Sequence, residues 1–189
     1  LNLITAHKKA SKVLLKYRND YKIGIAHNCA DFYIGDSTLA TRLNVKFLRW
    51  ANNHFFLDRT KKYLDFIGLN YYFAERHFGF GLHANNPDKN RNDIGWSMEP
   101  ARISNVVHDI WCRYKLPIMI TENGVADSGD KYRKWWIAET LKEIIKLKKK
   151  GVGLIGYIHW SLLDNFEWAD GHWPKFGLIA VDRETGSRK

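Results

Sequence analysis

Glu122 closes the run Ile118-Met119-Ile120-Thr121-Glu122-Asn123-Gly124, in which four apolar or β-branched residues lead into a carboxylate and a glycine follows two places later. After Pro117 such a run reads as a short strand covered on both faces, the pattern of a parallel sheet wrapped by helices. Glutamate is poor strand material and costly to bury unpaired, so its place at a strand's carboxyl end points to a cleft. Taken alone, the carboxylate is more simply read as capping the next helix or pairing with a lysine. Two further segments shift the balance, because Asn70-Tyr71-Tyr72 and His159-Trp160-Ser161 also end apolar runs. A carboxylate beside a tyrosine hydroxyl, with tryptophans, an asparagine and a second carboxylate, suits a sugar: aromatic faces stack on C–H groups while polar ends bond hydroxyls. Acyl transfer fits less well, since the chain has no G-x-S-x-G elbow. His7, His159 and His172 show no metal-ligand spacing and read as structural.

The elements that must position these groups follow from periodicity. Leu3, Ala6, Ala10, Val13, Leu14, Tyr17 and Tyr21 recur at helical spacing. Lys22 to Asn28 reads as a strand, Leu39 to Ala51 as a helix, and Leu64 to Tyr72 as a second strand. His77 to Trp96 is rich in Gly, Asn and Asp and reads as one long loop. Pro100 sits where a helix starts, with Ile103, Val106, Val107, Ile110, Trp111 and Tyr114 as its apolar face. The strand ending on Glu122 comes next, then a helix from about Arg133 to Lys150 stopped by Gly151, and a fourth strand from Leu154. Alternating helices and strands predict an α/β fold with a parallel sheet and no domain boundary within 1–189.

Composition narrows the function classes. The hydrophobic share of 45% and charged share of 26% are those of a globular chain, and no apolar run is long enough to cross a bilayer. The formal charge of +10 raises nucleic acid as a partner. The lysines are dispersed, however, and the densest cluster, Lys146 to Lys150, closes a helix, where cations complement the dipole. No nucleic-acid motif is present, so neither nucleic acid nor a membrane is expected as a partner. Cys29 and Cys112 have neither metal-ligand spacing nor the density of a disulfide scaffold, and read as buried thiols of a reducing cytoplasm.

The segments "GLNYY", "ITENG", "HWSLLDNFEW" and "KFGLIAVD" together resemble the motifs of the family-1 glycoside hydrolases, the β-glucosidase and β-galactosidase group, in the same order and at plausible spacing. The resemblance covers essentially the whole chain. It implies a (β/α)8 TIM-barrel type of fold, of which this chain holds the last four β/α units. It implies that Glu122 is the nucleophile of a retaining hydrolase and that Tyr72 holds it ionised and aimed, with Asn70 beside it. Trp160 is then the platform under the glycone, Glu167 and Trp168 bond its far hydroxyls, and Phe176 closes the pocket. The Glu167-Trp168 pair points to unphosphorylated glycosides, and the family pattern also implies a cis peptide between Trp160 and Ser161. No cofactor or metal is expected.

One part of the pattern is missing. Retaining hydrolysis needs two carboxyl groups about 5 to 5.5 Å apart, and the family's acid/base lies in an Asn-Glu-Pro motif that these 189 residues lack. "MEP" at Met98–Pro100 matches a different segment and reads as a helix start. The expectation is a fragment, or one half of a split barrel whose N-terminal half-barrel is supplied in cis or in trans. Its outer strands would expose unpaired edges and its inner face would meet water. A sugar-binding or regulatory protein that keeps the aromatic platform without completing catalysis is the alternative. Trp173, Pro174 and the "GWSMEP" segment depart from the commoner family wording near the expected pocket mouth, which bears on leaving-group preference.

Overall fold

The computed structural model describes residues 1–17, 20–81, 86 and 90–188. The chain runs α1 (Asn2–Tyr17), β1 (Ala26–Asn28), β2 (Asp31–Ile34), α2 (Leu39–Arg49), α3 (Phe55–Thr60), β3 (Ile67–Tyr71), β4 (Ala74–His77), α4 (Ile103–Tyr114), β5 (Ile118–Asn123), α5 (Arg133–Lys149) and β6 (Leu154–Tyr157). A π-helical turn, Trp50–His54, joins α2 to α3.

Four strands form an open parallel sheet in the order β1-β3-β5-β6. Spatial order follows chain order without reversal, so every crossover turns the same way and the helices collect on one face, as in a barrel rather than a doubly wound sheet. The core lies between that face and the helices: Ile67, Leu69, Tyr71, Ile118, Ile120 and Leu154 of the strands pack with Ile103, Val106, Val107 and Ile110 of α4 and with Trp136, Ile144 and Leu147 of α5. The opposite face is only half covered. Along β5, Ile118 and Ile120 are buried while Met119, Thr121 and Glu122 are intermediate, so the strand is dry on its helix side and open on the other. This corrects the expectation of a strand covered on both faces: four strands do not close on themselves, and the inner row lacks neighbours. The edges match the expected exposure, with β1 mostly exposed and Ile155 of β6 uncovered.

Two strands were not legible from periodicity. β2 and β4 pair in parallel as a separate ribbon beyond the ends of β1 and β3. Their shortness and mixed composition, "DFYI" and "AERH", hide them, and β4 occupies the start of the expected long loop. The ribbon is held by charge: buried Asp31 accepts from Arg102 Nη1 at 2.8 Å and Asn105 Nδ2 at 2.7 Å, and pairs with Arg49 at 3.3 Å. Residues 82–85 and 87–89 of the expected loop lie outside the described residues, while Arg91 and Ser97 bridge as a short hairpin. The first helix ends at Tyr17 rather than at Tyr21; residues 18–19 lie outside the described set. Pro100 opens a 3₁₀ turn leading into α4, as its fixed φ favours. Glu99 makes no capping bond and instead accepts from Tyr33 Oη at 3.0 Å and Arg102 Nε at 2.9 Å. Cys29 is buried, as expected, but Cys112 is exposed near His108 on α4, because it falls off that helix's apolar stripe.

Asn123, the last residue of β5, is fully buried and ties four elements together. Its Nδ2 donates to Tyr71 O at 2.7 Å, and its Oδ1 accepts from Trp136 Nε1 at 3.0 Å and Tyr157 Oη at 3.1 Å. Indole N–H is a donor only, which fixes the orientation of the amide. Each buried partner left unpaired costs about 1–3 kcal/mol, so Asn123→Ala is expected to lower the unfolding free energy by about 3 kcal/mol or more in urea titration. A loss under about 1 kcal/mol would contradict this role.

Candidate active site

Glu122 reaches the open face through a step in register. Leu69 of β3 lies opposite Ile120, but Asn70 lies opposite Glu122, so Thr121 is the extra residue of a bulge. A bulge re-aims the side chains that follow it. Thr121 Oγ1 donates to Asn70 Oδ1 at 2.6 Å, and Tyr72 Oη donates to Glu122 Oε2 at 2.6 Å. Asn123, one place on, then points back into the helix side.

The loop after Glu122 is fixed from beneath. A Cβ on Gly124 would lie 1.8 Å from Trp160 O, so only glycine lets the two strand ends approach this closely. The Trp160 N–H donates to Asn123 O at 2.9 Å, and the Trp160–Ser161 peptide is cis. Arg133, almost fully buried at the start of α5, donates to the carbonyls of Val125 at 3.0 Å, Asp127 at 2.7 Å and Phe176 at 3.0 Å. Asp127 Oδ2 accepts from the Tyr132 and Arg133 N–H groups, satisfying first-turn donors of the helix. One guanidinium thus fastens the segment after Glu122 to the segment bearing Phe176, and supplies charge-assisted bonds in a dry setting.

Phe176 is buried and meets the Tyr72 ring edge-on at 6.1 Å between centroids. Trp96 packs on Tyr72 at 5.6 Å, on Phe73 at 5.2 Å and on Phe176 at 6.5 Å. Its hairpin is anchored by Asp93, whose N–H donates to Ala126 O and whose carboxylate accepts from Ser128 N–H. The Tyr72 hydroxyl therefore sits in an aromatic wall. Burial, then the hydrogen bond to Glu122, then the charges of Glu122 and Glu167 hold its pKa well above the ordinary tyrosine value. The group remains a donor to the carboxylate throughout the working range of pH.

The other expected residues stand at varying distances from this centre. Asn70 is buried and joined through Thr121. Glu167 is half-buried, accepts from Asn165 Nδ2 at 2.7 Å, and its charge is felt at Tyr72. Trp160 is half-buried at the strand end. Trp168 is 86% exposed at a positive φ, and its side chain has no hydrogen bond or ring contact among the described residues. Sequence reading missed Asn123, Trp136, Tyr157, Arg133 and Trp96 as supports of the site. In sequence Trp96 is part of the "GWSMEP" segment near the expected mouth, and Arg133 is only the start of a helix. No group of three or more His, Cys, Asp or Glu among the described residues is arranged to hold a metal ion.

An open, singly wound parallel sheet with a carboxylate and aromatic residues gathered at its strand ends is the arrangement of part of a TIM barrel. The profile described as Glycosyl hydrolase family 1 matches residues 56–189, and the chain belongs to that family. It is 35% identical to the galactolipid galactosyltransferase SFR2 of Arabidopsis thaliana over 96% of this chain and 29% of that protein. It is 32% identical to a β-galactosidase of Saccharolobus solfataricus, over 77% of this chain and 31% of that one. The solved β-glucosidase of Thermotoga maritima with glucoimidazole superposes with a TM-score of 0.89 at 30% identity, covering 99% of this chain and 52% of that structure. The β-glucosidase of Pyrococcus furiosus gives 0.90 at 31%, covering 99% and 42%. The chain thus spans between about a third and a half of the length of these relatives.

His159, just past β6, is half-buried beside Tyr157, with Nδ1 3.3 Å from its hydroxyl and Nε2 unpartnered among the described residues. Burial, then the Arg133 charge, pushes its pKa from 6.5 down to about 4. The unfolded chain takes the proton first, so the ring's contribution to stability is complete above about pH 6.5 and is lost as pH falls toward 4. Imidazole NMR titration is expected to place the His159 midpoint at about 4, whereas a midpoint at 6.5 would mean the ring is solvated.

Proposed function

We propose that this chain supplies the nucleophile side of a retaining β-glycosidase acting on unphosphorylated β-glucosides or β-galactosides. The observation that carries the reading is the 2.6 Å hydrogen bond from Tyr72 to Glu122 at the open strand ends. A phenol that keeps its proton donates to the Glu122 carboxylate and aims it for attack. Glu122 attacks the anomeric carbon and forms an ester as the bond to the leaving oxygen breaks. That oxygen takes a proton from the acid/base, a carboxyl group contributed by an N-terminal half-barrel in cis or in trans. The same group then removes a proton from water, which attacks the anomeric carbon and releases Glu122 with its electron pair.

Trp160 lies under the glycone in this reading, Glu167 and Trp168 take its hydroxyls, Asn70 supports the nucleophile's surroundings and Phe176 closes the side. The exposure of Trp168 fits a residue whose contact is the ligand rather than the fold. The names of the β-glucosidase and β-galactosidase relatives support the substrate class. A covalent glycosyl intermediate also accommodates a galactosyltransferase such as the Arabidopsis relative, because an acceptor hydroxyl can take the place of water. The second reading, sugar binding without turnover, is favoured by one fact: no Asn-Glu-Pro occurs in these residues.

Aryl β-glucoside hydrolysis by the chain alone, and after mixing with a half-barrel bearing Asn-Glu-Pro, separates the readings. Activity is expected only on mixing and is lost in Glu122→Gln. One hydrogen bond to a charged group is worth about 1.5–3 kcal/mol, so Tyr72→Phe should lower kcat by roughly 10- to 100-fold. Hydrolysis by the lone chain contradicts the missing acid/base, and association of the halves without hydrolysis favours the sugar-binding reading.

A further inference from the structure

Between α2 and α4 lies a cavity of about 620 Å³ that shares no residue with the candidate active site. Arg42, Lys46 and Arg49 of α2 line it, with Trp50 beyond them and Asp109 and Arg113 of α4 opposite. The spacing i, i+4, i+7 puts the three α2 cations on one helix face, an arrangement that opposes helix stability through like-charge repulsion unless an anion meets it.

The charged groups divide into a fixed set and a free set. Arg113 makes a two-pronged pair with Asp58 at 2.9 and 2.8 Å, and Arg49 is held by Phe32 O at 2.7 Å and Asp31 at 3.3 Å. Asp109, the carboxylate on the wall, is engaged by His54 Nε2 at 2.9 Å. Arg42 and Lys46 are exposed and have no side-chain partner among the described residues. Two uncompensated cations therefore flank a pocket whose remaining charges are already paired. Trp50, 37% exposed, adds an apolar surface. The volume falls in the range of small-ligand sites, about 300–1,000 Å³.

We infer that this cavity binds a small phosphate ester, with Arg42 and Lys46 on the phosphoryl oxygens and Trp50 against its flat or apolar body. Arginine's planar fork matches phosphate oxygens, and lysine adds a mobile point charge. The site is independent of the glycosidase reading and stands or falls separately.

Isothermal titration with inorganic pyrophosphate and with ATP, both at about 0.15 M ionic strength to screen diffuse attraction, tests the inference. Saturable one-to-one binding is expected, with ATP the tighter ligand and Trp50→Leu abolishing its advantage. R42Q/K46Q should weaken both ligands at least tenfold. K148Q/K149Q, which removes the same charge from the exposed end of α5, should leave both unchanged, and both charge variants should keep the parent unfolding temperature. Absence of saturable binding, or equal weakening in the α5 control, would overturn the site. Equal affinity for the two ligands in the parent protein would overturn the role given to Trp50.

Discussion

A single buried amide governs the geometry of the strand ends. Asn123 meets the backbone of β3, the indole of α5 and the phenol of Tyr157 at the end of β6, and the first two of these bonds are fully buried. Because an unpaired polar group in that position is costly, the three strands have one low-energy arrangement and Trp136 has one place to stand. The residue before it is thereby fixed on the opposite face. Glu122 is aimed at the cleft because Asn123 is committed to the core.

The remaining devices extend this constraint outward. The bulge at Thr121 sets the parity of Glu122, and the absence of a side chain at Gly124 lets Trp160 O come close. Arg133 gathers carbonyls from the loop after Glu122 and from the Phe176 segment, so the aromatic wall around Tyr72 is registered to the carboxylate it serves. The inner face of the sheet remains half covered, as a four-stranded arc must when no further strands complete the circuit. The solved relatives are about twice as long as this chain and match it at TM-scores near 0.9, so the arc keeps the curvature of the longer barrels.

Much of this was legible in the sequence for physical reasons. Four apolar runs of strand length, separated by helix-period segments, specify a parallel sheet, and the polar residues closing three of them mark one end of it. The resemblance supplied the pairing of Tyr72 with Glu122, which periodicity alone does not contain. The ribbon of β2 and β4 escaped notice because each strand is only four residues long and mixes charged with apolar residues; it is stabilised by Asp31, Arg102 and Asn105 across long sequence separations. Arg133 was equally invisible, since a cation that satisfies backbone carbonyls looks the same in sequence as one in water. Cys112 was misplaced for the converse reason: a small apolar residue need not lie on the stripe that faces the core.

The central claim is that Glu122 attacks the anomeric carbon. A 2-deoxy-2-fluoro-β-glucoside with a strongly activated leaving group departs without help from an acid, so it isolates the first step. Incubated with the chain and the complementing half-barrel, then digested for peptide mass spectrometry, it is predicted to leave a fluoroglucosyl ester on Glu122 and none in Glu122→Gln. A label on another carboxylate, or no covalent label while the sugar remains bound, would contradict the account.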